Sequence, residues 1–121
     1  MLVDTSIWVD HLRRGNATLI GLLERGEVWT HPFVIGELAC LSLVRRAEFL
    51  EALAGLPRLP VVPHVDVLAM VATRRLMRRG LGWMSVHLLA AAVVAQIPLL
   101  TLDVRLSVVA GESGLGWPSA Y

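Results

Sequence analysis

Apolar and polar positions along the chain fall into short blocks that alternate between a strand-like and a helix-like period. Met1 to Asp4 is an unbroken apolar start closed by a carboxylate and reads as a short strand. Thr5 to Arg14 reads as a helix opened by a hydroxyl cap. Gly15-Asn16 punctuates, and Ala17 to Arg25 reads as a second helix, ended by Gly26. Glu27 to Thr30 is a second short strand, and Pro32 suits the first turn of a third helix, which carries Glu37. Arg45 to Ala54 is again helical. Leu59 to Val62 reads as a strand that Pro60 confines to an edge. Val65 to Arg79 is an amphipathic helix with Val65, Leu68, Ala69, Ala72 and Leu76 on one face. Ser85 to Gln96 predicts a largely buried Ala/Leu-rich helix, Ile97 to Leu102 a strand and Val104 to Ala110 a helix, with the Gly-rich tail an edge strand at most. Strands alternating with helices argue for an α/β sandwich around a parallel sheet of about four to five strands. In such folds the functional crevice lies at the carboxyl ends of the strands, where Asp4 and Asp103 fall.

Composition narrows this picture. A chain of 121 residues is one domain with room for a substantial core. Hydrophobic residues at 55% against 17% charged leave more apolar surface than one core absorbs, which favours a partner or self-association. All 11 basic residues are arginine, the side chain best suited to phosphate and carboxylate forks. The lone Cys40 excludes an internal disulfide and a thiolate zinc site, and its apolar setting predicts a buried inert thiol. The apolar stretch from Leu81 to Leu102 is broken by His87, Gln96 and Pro98 into a helix and a strand, so no membrane span is expected. No basic segment precedes an apolar run at the start, which points to a cytoplasmic chain.

The candidate chemistry lies in three acids with apolar flanks. Asp4 closes the first strand, Glu37 sits within the apolar run Pro32 to Leu43, and Asp103 follows Pro98-Leu99-Leu100-Thr101-Leu102. Such acids are costly to bury unless paired, hydrogen-bonded or bound to a cation. Mg2+ or Mn2+ prefers carboxylate oxygen and water, and a carboxylate-held cation suits phosphodiester hydrolysis. Thr5, Ser6 and Thr101 are placed to hydrogen-bond the carboxylates or a metal-bound water. Asp4 and Asp103 would equally serve as caps of the helices they precede, and Glu37 as a solvated helix residue; it is the three together that point to a site. His87 reads as a polar contact in the core or at a partner surface, Asp66 and Glu112 as solvated. Trp8, Trp29 and Trp83 read as core or interface, and Trp117 as packing on the sheet or a neighbour.

Four segments in series carry a family resemblance: Leu2-Val3-Asp4-Thr5-Ser6-Ile7-Trp8, Gly36-Glu37-Leu38, Gly80 to Ala91, and Leu100-Thr101-Leu102-Asp103-Val104-Arg105-Leu106. In this order and at these spacings the whole chain resembles a PIN-domain protein, most closely the VapC ribonuclease toxins of VapBC toxin–antitoxin pairs. The resemblance implies a single PIN-like α/β/α domain over residues 1–121 and a Mg2+- or Mn2+-dependent endoribonuclease. Asp4, Glu37 and Asp103 would then be three of the family's four metal-site acids, with Asp4 and Asp103 holding metal. It further implies a transfer or ribosomal RNA substrate, a cognate antitoxin whose tail crosses the acidic cleft, and a homodimer. Arg13 and Arg14 become candidates for RNA contact.

The chain departs from the family pattern once: Ser85 occupies the place of the remaining acid. Ser caps a helix about as well as Asp, so the fold tolerates the change, but the site loses a charge and a strong oxygen ligand. Two readings follow. One is a nuclease that manages on three acids; the other is a catalytically weakened or inactive PIN domain that binds antitoxin or RNA. A receiver-like phosphotransfer domain also gathers acids at strand ends, but it needs a lysine nearby and this chain has none.

Overall fold

The computed structural model describes residues 1–116, so Trp117 and the expectation attached to it lie outside the described residues. The elements run β1 (Leu2–Val3), α1 (Thr5–Arg14), α2 (Ala17–Glu24), α3 (Pro32–Ala39), α4 (Arg46–Ala54), α5 (His64–Thr73), α6 (Trp83–Ala95), β2 (Leu99–Leu100) and α7 (Val104–Glu112). β1 and β2 pair in parallel with Leu2 opposite Leu99 and Val3 opposite Leu100. All four residues are buried in the core.

The regular sheet has two strands among the described residues, not the four to five expected. The other segments approach it through single parallel bridges: Leu2 with Trp29, Thr30 with Arg58, and Leu99 with Gly116. They run in the order 58, 29–30, 2–3, 99–100, 116, so the α/β layering holds while the ladders stay one residue long. Leu59 to Val62 is accordingly no strand. Thr30 exchanges bonds with Pro57 O and the Leu59 amide, both at 2.9 Å, and Pro60 then offers no donor to extend the pairing.

α1 has the expected bounds, but its cap is a carboxylate rather than a hydroxyl: Asp4 accepts from the Thr5 amide, and Gly15, at φ 76, turns the chain out of the helix. α5 differs: it stops at Thr73 rather than running to Arg79. Buried Leu76 donates its amide back to Val71 O at 3.0 Å, which pulls the chain off the helical path. Arg75 and Arg78 then take left-handed conformations, at φ 53 and 61. Arg75, Arg78 and Arg79, which a helix running to Arg79 would carry in its last turns, lie instead on the connection to α6. Arg79 forks onto Glu112 of α7 at 2.7 and 3.1 Å, and Arg74 donates to Ser113 Oγ at 3.1 Å. Glu112, read as solvated, is therefore half of an ion pair, and each partner moves the other's pKa toward its charged form.

α6 is the centre of the molecule, with every residue from Val86 to Ala92 buried. Its run of alanines lets neighbours pack on all sides. Cys40, expected to be buried, is exposed at the end of α3, because the chain turns there and leaves it outside.

Candidate active site

β1 and β2 end side by side, and the helices that follow them start from one hydrogen-bonded knot. The Asp4 amide donates to Leu100 O at 2.9 Å, which fixes the carboxylate against the end of β2. Asp4 is only 9% exposed, yet three donors compensate its burial. Oδ1 accepts from the Thr5 amide at 2.8 Å, while Oδ2 accepts from Ser6 Oγ at 2.8 Å and Thr101 Oγ1 at 2.6 Å. A hydroxyl carries one proton. Both protons are committed to Asp4, so the 3.3 Å approach of Ser6 Oγ to Thr101 Oγ1 is two donors sharing one acceptor rather than a further bond.

Each hydroxyl also accepts. Ser6 Oγ receives the Leu102 amide at 3.0 Å, and Thr101 Oγ1 the Asp103 amide at 3.0 Å. The Asp103 backbone is thereby linked to Asp4 through two hydrogen bonds, by way of the Thr101 hydroxyl. Its own Oδ1 caps α7 through the amides of Arg105 and Leu106, at 2.9 and 3.3 Å. Glu37 comes in from α3, where Thr5 Oγ1 donates to its Oε1 at 2.6 Å. Thr5 thus touches Asp4 through its amide and Glu37 through its hydroxyl.

The expected residues Asp4, Thr5, Ser6, Glu37, Thr101 and Asp103 therefore share one network. The carboxylates stand apart within it: among the described residues no three acidic, His or Cys side chains approach closely enough to form a ready metal cage. The donors are hard oxygens, and Mg2+ is usually held by one or two carboxylates with several waters retained, so the donor set fits a largely hydrated divalent cation. Ser85 is half-buried in the first turn of α6. It does not cap that helix, since Gly82 occupies the capping position without a side-chain bond. Of the two candidate RNA contacts, Arg14 is engaged by Asp10 at 2.6 Å, whereas Arg13 has no side-chain partner among the described residues.

A line of rings that the sequence did not suggest joins α3, α5 and α6. His64 and Trp83 lie 5.1 Å apart, Trp83 and His87 4.7 Å, His87 and Phe33 4.8 Å, and Phe33 and His31 5.1 Å. His87 is buried, though its Nδ1 meets no polar partner among the described residues, and His31 is fully buried. His31 Nδ1 caps α3 by accepting the Phe33 amide at 3.0 Å, so the neutral ring carries its proton on Nε2, where no partner meets it. Burial, with a smaller contribution from His87, lowers its pKa from 6.5 to about 4. Burial, then His64, lowers that of His87. Trp83, read as core or interface, is not in the core and stands 42% exposed at the start of α6. A hydroxyl or carboxylate before Pro32 would have been read as a cap; His31 in that role leaves no such mark.

Residues 1–112 match the PIN domain family. The chain is also 46% identical over 116 residues to Ribonuclease VapC32 of Mycobacterium tuberculosis, in both the CDC 1551 / Oshkosh and H37Rv strains. The match covers 95% of this chain and 94% of the relative.

Proposed function

The chain belongs to the PIN-domain family, and from that membership we propose that it is a VapC-type ribonuclease, the toxin of a toxin–antitoxin pair that cuts RNA phosphodiester bonds with a divalent metal ion. The observation that carries this reading is the knot around Asp4, in which hydroxyls bind the carboxylates of Asp4 and of Glu37 on α3 and accept the backbone amide of Asp103 beyond β2. Mg2+ or Mn2+ is the fitting ion for such oxygen donors, with Asp4 and Asp103 as its holders. Bound there, it supplies charge stabilisation at the phosphoryl oxygens and a more acidic water.

The protein's own residues do the rest. Thr5 holds Glu37 by one oxygen, leaving the other to take a proton from the attacking water. Ser6 and Thr101 keep Asp4 in a single orientation while linking it to the backbone that carries Asp103. Ser85 contributes no charge, so the centre holds its cation more weakly than a four-acid site would. The substrate is a structured cellular RNA, transfer or ribosomal, and the chain works in the cytoplasm; no described helix is long and apolar enough to cross a membrane. Exposed Val44, Val65, Leu68 and Val94 provide apolar surface for a cognate antitoxin and a second copy of the chain.

The test is cleavage of total RNA in Mn2+ by the parent chain, Asp4→Asn and Ser85→Asp. Cutting by the parent, lost in Asp4→Asn and raised about tenfold or more in Ser85→Asp, is the expected result for a centre short of one ligand. A silent parent beside an active Ser85→Asp would establish the binding-module reading. Silence in both sinks the nuclease.

A further inference from the structure

Of the described arginines, six are engaged by side-chain bonds: Arg14, Arg25, Arg45, Arg46, Arg74 and Arg79. Three of the others fall along one path. Arg75 and Arg78 lie on the connection from α5 to α6, between anchored Arg74 and Arg79, and their left-handed backbones gain no side-chain bond in return among the described residues. Arg105 belongs to the first turn of α7, yet its side chain lies across Gly80 in that same connection. A Cβ on Gly80 would sit 2.6 Å from Arg105 Cδ and 2.9 Å from Nε. A side chain at position 80 would displace Arg105 from this place, and φ 76 favours glycine there.

Trp83 follows three residues on. Its ring is held by His87 at an interplanar angle of 89° and by His64 at 59°, and is still 42% exposed. An open aromatic three residues from the glycine that Arg105 crosses, with guanidiniums that have no side-chain partner among the described residues, is the chemistry that holds unpaired nucleotides, through base stacking and phosphate contact. Location adds a reason. Carboxylates at the centre repel phosphate, so a strand entering it needs cations at the margin, and the Arg105 amide is itself bonded to Asp103.

The geometry points to a track for single-stranded RNA along Arg75, Arg78, Trp83 and Arg105, with Trp83 stacking one base and the arginines taking phosphates that lead to the acids. This rests on the ribonuclease reading but is tested without cleavage. The experiment is fluorescence anisotropy of a labelled single-stranded oligoribonucleotide in EDTA over a range of salt. The variants are Trp83→Ala, Trp83→Phe, Arg105→Gln, Arg105→Lys and Arg75→Gln/Arg78→Gln, each checked by thermal melting.

Trp83→Ala weakens binding about tenfold without changing the salt dependence, and Trp83→Phe recovers most of it. Arg105→Gln lowers the log–log salt slope by about 0.7, the double variant lowers it by about twice that, and Arg105→Lys keeps it. Folded variants that bind with the parent's affinity and slope overturn the track and leave the nuclease reading standing, as does a parent that cuts RNA yet shows no binding. Variants that lose only an oligo-glutamate peptide assign the surface to an acidic protein partner and overturn it likewise. A parent that binds through these residues but never cuts supports the track and removes the nuclease.

Discussion

At the scale of single residues, His31 and Asp4 show two ways of burying a polar group. Asp4 is surrounded by donors, whereas His31 is kept neutral. The consequence for His31 has a definite sign. Its folded-state pKa is about 4 against 6.5 when free, so as pH falls the unfolded chain takes up the proton first. The stability it supports is complete above pH 6.5 and is lost between 6.5 and about 4. His87 is shifted in the same direction and adds to the loss. His31→Asn keeps a capping acceptor for the Phe33 amide and removes the titration. We expect its melting temperature to fall less than the parent's between pH 7.5 and 5; an equal fall would assign the acid sensitivity elsewhere. Asp4, Thr5, Ser6 and Thr101 were legible because they crowd the ends of apolar runs. Arg105 was not, because its partner Gly80 lies 25 positions earlier and nothing local marks the approach.

At the scale of elements, agreement follows local chemistry and disagreement follows distant contacts. α1 matched its expected bounds because Asp4 and Gly15 are nearest neighbours of the helix they delimit. α5 did not, because the pull on Leu76 comes from the core and the hold on Arg74 and Arg79 from α7. The sheet fell short of expectation where prolines removed donors that propensity does not count. α6 is the element whose packing the rest depends on, since it is buried all round. Leu89, fully buried at its middle, has no open side into which a void can collapse. Leu89→Ala is expected to cost about 2–5 kcal/mol in urea unfolding. A loss within experimental error would mean that α6 is not packed as described.

At the scale of the molecule, the core is continuous but the sheet at its centre is two residues wide along each regular strand, and one of those strands comes from each end of the chain. Asp4 and Thr101, whose bond organises the acids, are separated by 97 positions. Loop closure over such a span comes late, after the helices between have formed. During synthesis the chain therefore emerges with its first carboxylate already exposed but without Thr101 and the Asp103 backbone to set it. A chain cut short of β2 is therefore expected to lack cutting activity, since nothing then sets the Asp4 carboxylate against Thr101. Residues 1–98 made alone should neither melt cooperatively nor cleave RNA under conditions in which the whole chain does. Cleavage by that fragment would show that the centre assembles without its far half.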